Sequence, residues 1–273
     1  MADYEQNLEA NLQDLCVRVH TGRYRPQPVR RVHIPKADGG RRPLGVPTLE
    51  DKIVQGAVAE TLSAIYEVDF LGFSYGFRPG RNPHQALSSL HTAIMSQRVN
   101  WVLDADIRSF FDSVDHEWLL RMLAHRIADP RVHRLVRLWL EAGILESGEW
   151  HETDKGAPQG AGISPLLANV FLHYVLDLWV HQWRGRHARG RVSIMRYADD
   201  FVRGFENAVN AGRDLLKSAE VKSPSYIGQD PGLAWPFFGG RPRRRGTGAD
   251  RGGAISALER TCSGMSSACW RRR

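Results

Sequence analysis

Apolar side chains recur at helical spacing in several stretches of the chain. Leu8, Leu12, Leu15 and Val19 follow one another every three or four residues, which predicts an amphipathic helix over residues 7–20. Residues that favour the first positions of a helix stand before the other helical stretches. Helices are therefore predicted to begin after Thr48, Asp115 and Asp129, at the Ser164–Pro165 pair, and near Pro83 and Asn207.

Shorter apolar stretches bounded by glycine or acidic residues predict strands. Residues 29–34 and 42–46 flank a Gly39–Gly40 turn, and residues 144–153 surround Ser147–Gly148, so both segments are predicted to be hairpins. Three further strands are predicted at residues 101–107, 192–197 and 201–205. The pattern before residue 220 is that of a mixed α/β protein.

The sequence changes character after about residue 220. Its last part is rich in Gly, Arg, Ser and Pro and has no sustained hydrophobic period. Such a composition buries too little apolar surface to offset the entropy lost on ordering, so residues 221–273 are predicted to be a disordered tail. An RNA-binding arm is the alternative interpretation of this segment.

Composition and charge narrow the possible functions. The chain has 273 residues, 42% of them hydrophobic, and a formal net charge of +7. This charge favours a polyanionic partner such as nucleic acid, and a solvated basic surface is the alternative. Its three cysteines have neither zinc spacing nor the density of a disulfide framework, which fits a reducing cytoplasm. Polar residues interrupt the longest apolar stretch and the N-terminus lacks a signal-peptide pattern, so no membrane association is predicted.

Acidic residues stand where predicted strands end. Asp104 and Asp106 are two positions apart on one strand, so their side chains share a face, and Asp199 and Asp200 occupy the turn between two other strands. Carboxylates repel one another, and Mg²⁺ is a natural cation to lie among them because it binds carboxylate and phosphate oxygens. A pair of acids in a hairpin turn is also common where the turn is merely solvated, and the acids alone leave both interpretations open.

Six motifs occur in an order that resembles the reverse transcriptases encoded by group II introns. Three of them contain the acids or the loop between them: D-I-R-S-F-F-D at 106–112, A-P-Q-G-A-G-I-S-P-L-L-A-N at 157–169 and R-Y-A-D-D-F-V at 196–202. Three upstream motifs resemble the family's fingers region: Y-R-P-Q-P-V-R-R-V-H-I-P-K at 24–36, R-R-P-L-G-V-P-T-L-E-D-K-I-V-Q at 41–55 and S-Y-G-F-R-P-G-R at 74–81.

The resemblance implies an α+β polymerase fold of fingers and palm. Residues 1–100 correspond to an N-terminally truncated fingers region and residues 101–220 to a palm, whose mixed or antiparallel sheet packs on helices. Residues 221–273 form the predicted tail. The G-L-x-L-x-x-x-K-T segment that closes the family's palm is not found after Asp200, and no thumb is recognised, so a form without a thumb is expected.

The resemblance assigns metal binding and catalysis to Asp106, Asp199 and Asp200, with Mg²⁺ as the cofactor. Asp104 is the alternative to Asp106. Asp199 is expected to be the closer partner of Asp106, and Asp200 is expected to act mainly through its charge. Two such metal ions about 4 Å apart could hold the attacking and leaving oxygens of a phosphoryl transfer.

The resemblance also assigns a nucleotide site. Lys36 and Arg42 are expected to bind the triphosphate, although exposed cations beside a turn are often only solvated. Phe111 is expected beneath the sugar, where it would exclude a 2′-hydroxyl, with a core aromatic as the alternative. Gln159 and Gly160 are expected against the nucleotide and the template base, and an ordinary loop before a helix is the alternative.

The resemblance also assigns contacts with the template and the primer. Arg30, a weaker member of the phosphate-binding group, is placed with Arg78 and Arg81 at the phosphates of template or primer. Tyr197 is expected behind the primer end, or simply to pack.

The function implied is that of an RNA-directed DNA polymerase associated with intron splicing and mobility. Its partners would be an intron RNA template, a DNA primer and deoxynucleoside triphosphates, in the cytoplasm and without a membrane, while the oligomeric state is not predicted. An inactive or decayed fragment that retains only RNA binding is the alternative. A metal-dependent nuclease would use the same acids but explains neither Lys36 and Arg42 nor the loop at Gln159.

Overall fold

The computed structural model describes residues 2–35, 39–97, 99–107, 110–153, 155–157, 160–207 and 271–272. The chain forms two compact units, each assembled from two separate segments. The first unit consists of Met1–Val68 and Ser109–Val170, and the second of Asp69–Arg108 and Phe171–Arg273. These boundaries differ from the expected division at residue 100, and the functional division into fingers and palm stays a prediction.

Helices and strands are mixed in both units. In chain order the helices are α1 (Ala2–Gln6), α2 (Leu8–His20), α3 (Leu49–Tyr66), α4 (Pro83–Ser96), α5 (Phe110–Ser113), α6 (His116–Arg126), α7 (Pro130–Leu140), α8 (Ser164–Leu172) and α9 (Leu178–Arg186), with a π-helical turn at His173–Asp177. The strands are β1 (Val29–Pro35), β2 (Arg41–Val46), β3 (Trp101–Asp106), β4 (Ile144–Glu146), β5 (Glu149–His151), β6 (Val192–Tyr197), β7 (Asp200–Phe205) and β8 (Arg271–Arg272).

The first unit contains a sheet in the order β2-β1-β4-β5, built from the two predicted hairpins. Ser147 and Gly148 both have positive φ, at 52° and 89°, which is the pattern of the tight turn that joins two-residue hairpins. The hairpins join through β1 and β4, which pair in parallel with Val29 opposite Ile144. No local signal in the sequence predicts that pairing.

A buried hydrogen-bond chain fixes α3 in the first unit. The Tyr24 hydroxyl donates to the Asp51 carboxylate and accepts from the indole N–H of Trp139 at 3.0 Å. Asp51 also accepts from the Thr48 hydroxyl at 2.7 Å, and Thr48 caps the helix as predicted. The polar side-chain atoms in this series of hydrogen bonds all have partners, which is the condition for burying them at little cost.

The second unit contains a sheet in the order β6-β7-β3-β8, in which every pair of neighbours is antiparallel. The predicted strand at residues 192–197 is confirmed, and β7 begins one residue before its predicted start. The α4 helix packs against β6. The short strand β8 pairs with Trp101 and Val102 at the edge, while the rest of the predicted tail and residues 208–219 of the predicted helix lie outside the described residues.

The long helix predicted after Ser164 is interrupted by the π-helical turn at His173–Asp177. All five residues of the turn are buried, and the Asp177 carboxylate forms an ion pair with Arg196 of β6 in which neither side chain is exposed. The periodicity of apolar residues could not predict this interruption, because it depends on the tertiary contact made by Asp177. No helix in the described ranges is long and apolar enough to cross a membrane.

Replacing Tyr24 with Phe tests the buried chain of the first unit. The change leaves the Trp139 N–H and one Asp51 oxygen without their buried partner, which typically costs about 1–3 kcal/mol. Tyr4→Phe is the matched control, because the buried Tyr4 hydroxyl has no hydrogen-bond partner among the described residues. Urea unfolding should show a lower free energy of unfolding for Tyr24→Phe and little change for Tyr4→Phe. Equal losses in the two variants would contradict the prediction.

Candidate functional site

The strand register of the second unit brings the predicted acids to one end of one sheet face. Asp106 of β3 lies directly opposite Asp200 of β7, and Asp104 lies opposite Val202. Directly opposed residues of antiparallel strands share a face and have Cβ atoms about 4.5–5.5 Å apart. Asp104, Asp106 and Asp200 therefore share one face, here called the acid face. Asp199 occupies the adjoining turn.

The register gives Asp200, rather than Asp199, the position opposite Asp106. Asp199 had been expected to be the closer partner. The reason is geometric: β6 and β7 are joined by two residues only, so Asp199 is the last residue of the turn and Asp200 the first of the strand. How the two carboxylates share a metal remains a prediction.

Asp200 lies in an electrostatic environment that opposes its ionisation. Partial burial raises the pKa of Asp200 above its ordinary value, and the negative charges of Asp106, Asp199 and Asp104 raise this pKa further. A bound cation would reverse the effect of these charges. The cluster is thus of the kind that a divalent cation stabilises.

The donor set suits a hard cation that keeps part of its hydration. The described residues contain no group of three or more His, Cys, Asp or Glu placed to hold a metal ion by themselves. Mg²⁺ commonly takes only one or two protein carboxylates and completes its shell with water and substrate phosphates. The carboxylates of the acid face fit that manner of binding.

The Tyr197 side chain shares the acid face. Tyr197 is the last residue of β6 and lies directly opposite Asp200 across the hairpin. Its side chain is only partly exposed. The position is compatible with the predicted contact to the primer end, which stays a prediction.

The two arginines expected at nucleic-acid phosphates make contacts inside the second unit. Arg78 is 7% exposed, and its guanidinium donates to the carbonyls of Leu71 and Ser74 at 2.9 and 2.8 Å. Arg81 donates to the Gly72 carbonyl at 2.8 Å and lies over the Tyr75 ring. Arg78 would have to leave these carbonyls to reach a phosphate, whereas Arg81 lies nearer the surface.

The first unit contains a cavity of about 280 Å³ beside Phe111. The Phe111 ring packs edge-on against Phe110 at 5.4 Å and lines this cavity. Two cations line it as well, Arg31 from β1 and Lys155 from the loop before α8. Asp112 lines the cavity too, so an aromatic wall stands beside charged groups of both signs.

The β1–β2 hairpin presents its cations on two opposite faces. Arg30 and Arg42 are exposed, and the register places both on the face that also carries Leu44. Arg31, which lines the cavity, lies on the other face and pairs with Glu146 at 3.1 Å. The structure therefore brings Arg31, rather than the predicted Arg30 or Arg42, to the cavity of Phe111. Lys36 and Gln159 lie outside the described residues.

Sequence reasoning missed Arg31 and Lys155. Alternation along β1 could have found Arg31, because it is two positions from the buried Val29 and so shares its face. Lys155 has no such signal, since its place depends on a bridge to Asp115 across the chain.

Gly160 packs against β2 where no side chain fits. Its φ is +100°, and an added Cβ would lie 2.5 Å from the Gly45 carbonyl oxygen and 2.8 Å from a Leu44 methyl group. The following loop is held as well, because the buried Gln55 side chain accepts from the Gly162 N–H at 3.0 Å. Gly160 therefore has a packing role in the first unit, in addition to the predicted contact with a nucleotide.

Comparison with known proteins identifies the class. The family described as "Reverse transcriptase (RNA-dependent DNA polymerase)" matches residues 34–222, which is most of the chain. The chain belongs to the reverse transcriptase family. Its α+β fold, expected from the motifs, is confirmed, and the family in general uses divalent metal ions.

The relatives place the chain with group II intron proteins. Group II intron-encoded protein LtrA of Lactococcus lactis subsp. cremoris is 40% identical over 182 residues, covering 66% of this chain and 30% of LtrA. Protein YkfC of Escherichia coli (strain K12) is 36% identical over 227 residues, covering 72% of this chain and 59% of YkfC. The chain thus spans less than two thirds of either relative. The resemblance to group II intron reverse transcriptases is confirmed.

A solved structure shares the fold. Apo telomerase from Candida tropicalis superposes with a TM-score of 0.55 at 12% identity, over 74% of this chain and 42% of the telomerase. At this identity the likeness shows the fold alone.

Removing the charge of Asp200 should stabilise the chain in the absence of divalent cations. Because the pKa of Asp200 is raised by folding, the folded state binds the proton more tightly than the unfolded state, and the ionised carboxylate opposes folding at higher pH. Asp200→Asn should therefore raise the free energy of unfolding near pH 7, and the gain should shrink as the pH falls below the raised pKa. Urea unfolding at several pH values, with a chelator present, measures the gain in free energy of unfolding and its decrease with pH.

The control for this comparison is Asp14→Asn, which removes the charge of a side chain that is 64% exposed. It should show no comparable gain near pH 7. A variant Asp200→Asn that is no more stable than the unchanged chain near pH 7 would contradict the electrostatic account of the acid face.

Replacing Gly160 with Ala should destabilise the first unit through a steric clash. Overpacking of this kind typically costs about 1–3 kcal/mol, and the positive φ adds to the loss. Gly148→Ala is the matched control, because Gly148 has a φ of +89° with open space around an added Cβ. Urea unfolding should show the larger loss for Gly160→Ala. Equal losses in the two variants would mean that the positive φ alone, without a steric clash with β2, explains the destabilisation by Gly160→Ala.

Proposed function

We propose that the chain is the RNA-directed DNA polymerase domain of a group II intron-encoded protein. The observation that carries the proposal is the acid face, where Asp106 lies opposite Asp200 and Asp199 forms the adjoining turn. Carboxylates held together against their mutual repulsion are typical of phosphoryl-transfer sites that use metal ions. The family match over residues 34–222 supports the same reaction.

The carboxylates of Asp106, Asp199 and Asp200 would hold Mg²⁺, which neutralises phosphate charge and lowers the pKa of a bound hydroxyl. The primer 3′-hydroxyl attacks the α-phosphate of a deoxynucleoside triphosphate, a new P–O bond forms, and pyrophosphate leaves. The role of the protein is to hold its carboxylates at fixed positions before the substrates arrive, because groups already in place need no rearrangement in the transition state.

Five residues would bind the incoming nucleotide. Phe111, which lines the cavity of the first unit, would lie beneath the sugar and exclude a 2′-hydroxyl. Lys36 and Arg42 bind the triphosphate, with Arg42 exposed and able to reach a phosphate. Gln159 and Gly160 contact the nucleotide and the template base.

Template and primer would lie along two cations, the exposed Arg30 and the half-buried Arg81. Arg30 and Arg81 reach phosphates of the RNA template or the DNA primer, and Tyr197 lies behind the primer end from its position on the acid face. Arg78 contributes mainly by holding the loop that carries Arg81. The net charge of +7 favours these polyanionic partners.

The biological role would be in intron splicing and mobility, with intron RNA as the template. The similarity to LtrA, a group II intron-encoded protein, supports this role. A cytoplasmic location is proposed on the small number and wide spacing of the cysteines.

A primer-extension assay tests the proposal. The chain should extend a DNA primer on an RNA template when Mg²⁺ is present, and Asp106→Asn or Asp200→Asn should lower the rate by at least about a hundredfold, the usual loss when a transition-state charge stabiliser is removed. Asp14→Asn is the control, because this exposed surface acid is not part of the acid face and should leave the rate unchanged.

Two results would change the conclusion. If the chain binds structured RNA in a salt-dependent way but extends no primer, it is an inactive relative that retains RNA binding. If Mg²⁺-dependent cleavage of RNA or DNA occurs without extension, the acid face belongs to a nuclease.

A further inference from the structure

The turn that carries Asp199 has an unfavourable backbone conformation. Only Ala198 and Asp199 join β6 to β7, and Ala198 has a φ of 58° in the left-handed region. Glycine usually occupies such a position, because a Cβ makes the conformation unfavourable. A strained residue of this kind persists only where its surroundings hold it in place.

One buried guanidinium holds the carbonyl group of Ala198. The Nη1 of Arg196 donates to the Ala198 oxygen at 2.8 Å, and Arg196 has no solvent exposure. Its Nε and Nη2 donate to the two oxygens of Asp177 at 2.8 and 2.7 Å, and Nη2 also donates to the Ser74 hydroxyl at 2.7 Å. The bidentate ion pair fixes the plane of the guanidinium, so the Ala198 carbonyl meets a donor that cannot turn away.

The backbone of residues 73–76 supports the turn as well. The Arg196 N–H donates to the Phe73 carbonyl, and the Arg196 carbonyl accepts from the Tyr75 N–H, both at 2.9 Å. A Cβ on Gly76 would lie 2.2 Å from the Ala198 nitrogen. The backbone of Gly76 thus lies directly against the strained residue and leaves no room for it to shift.

Both partners of Arg196 are themselves fixed. Asp177 is the last residue of the π-helical turn at His173–Asp177, and it is fully buried. Such turns inside α-helices often occur at functional sites. Ser74 is also fully buried, and its carbonyl accepts from Arg78 at 2.8 Å. The contacts therefore run from a helix and a loop, through one guanidinium, to the residue before Asp199.

We propose that Arg196, held by Asp177, is a positioning residue that fixes the left-handed turn at Ala198 and so places the carboxylates of Asp199 and Asp200. The inference rests on the proposed function, because it concerns the same acids. Arg196 acts through the Ala198 carbonyl, and its replacement by Lys should weaken binding of the cation by the acid face, an effect that is separate from any loss of stability.

A matched control separates positioning from general stability. Arg203 of β7 has the same 0% exposure as Arg196 and lies in the same sheet, three residues along β7 from Asp200. Its guanidinium lies 4.8 Å from the centre of the Phe201 ring and 5.5 Å from that of Trp179. Arg203→Lys therefore disturbs an equally buried cation away from the turn.

The experiment measures the thermal midpoint of the full chain as a function of Mg²⁺ concentration, without nucleic acid or nucleotide. Arg196→Lys keeps the charge but loses the fork that holds Asp177 and Ala198 together. It should raise the half-saturating Mg²⁺ concentration about tenfold, as the loss of one charge-assisted hydrogen bond implies. Arg203→Lys should lower the midpoint without Mg²⁺ but leave half-saturation within about twofold of the unchanged chain, since the carboxylates stay in place.

A rescue experiment tests the role of the turn directly. Glycine adopts a positive φ without a Cβ clash, so Ala198→Gly should restore the half-saturating concentration of Arg196→Lys to within about threefold of the unchanged chain. Asp177→Asn, which keeps the side-chain size, should give a smaller increase in the same direction, and Ala198→Gly should reverse it too.

Several results would overturn the inference. One is a half-saturating Mg²⁺ concentration in Arg196→Lys that equals that of the unchanged chain. Another is an increase of this concentration in Arg203→Lys as large as that in Arg196→Lys. A third is that Ala198→Gly restores the thermal midpoint of Arg196→Lys but not its half-saturating Mg²⁺ concentration. A fourth is that Arg196→Lys fails to fold even when combined with Ala198→Gly, because Arg196 would then act on stability. An unchanged chain whose midpoint ignores Mg²⁺ also overturns it.

The outcome is distinguishable from that of the proposed function. If the Mg²⁺ titrations follow the expected pattern and no primer is extended, the positioning role stands and the polymerase activity does not. If primers are extended and Arg196→Lys titrates like the unchanged chain, only the positioning role fails.

Discussion

The ion pair between Asp177 and Arg196 has no contact with solvent and lies beneath the sheet of the second unit. Each ion loses its hydration on folding, which costs several kcal/mol per ion, and attraction repays this only where the geometry is good and the remaining donors are satisfied. Both conditions hold here, because the bidentate contact is completed by the Ser74 hydroxyl and the Ala198 carbonyl. The interaction therefore specifies where a helical turn, a loop and a hairpin meet, which apolar packing alone would leave less sharply defined.

The two faces of this sheet differ in the charged groups that they hold. On one face a cation is buried with its counter-ion, and on the other, several acids are gathered close together. Partial burial raises the pKa of Asp200, and the neighbouring acids raise it further. Groups whose ionisation is opposed by the fold are common at functional sites, where stability is given up for chemistry. The rigid pair on one face allows the repelling carboxylates on the other to keep their places.

Local signals in the sequence predicted the elements well and the contacts between them poorly. The strand at residues 192–197 and the helix caps at Thr48, Asp115 and Asp129 depend on neighbouring residues, and the structure has them as predicted. The family motifs implied that Asp106, Asp199 and Asp200 lie near one another, but they favoured Asp199 as the closer partner of Asp106, whereas the register places Asp200 opposite it. The π-helical turn, the choice of Arg31 over Arg30 at the cavity and the burial of Arg78 depend on distant partners, which no window of sequence contains. For Arg78 the sequence even favoured the wrong environment, since exposure is the usual state of an arginine.

The pairing of distant segments has a consequence for how the chain is made. In the first unit Val29 pairs with Ile144, and in the second Trp101 pairs with Phe205, so each sheet joins residues more than a hundred positions apart. The segments also alternate along the chain, and the first unit is interrupted by part of the second. The β1–β4 pairing cannot form until residue 144 has been synthesised, nor the β3–β7 pairing until residue 200, and contacts between distant residues form slowly. Until β4 is available, the β1–β2 hairpin has an unpaired edge whose backbone donors and acceptors are open to pairing with other chains.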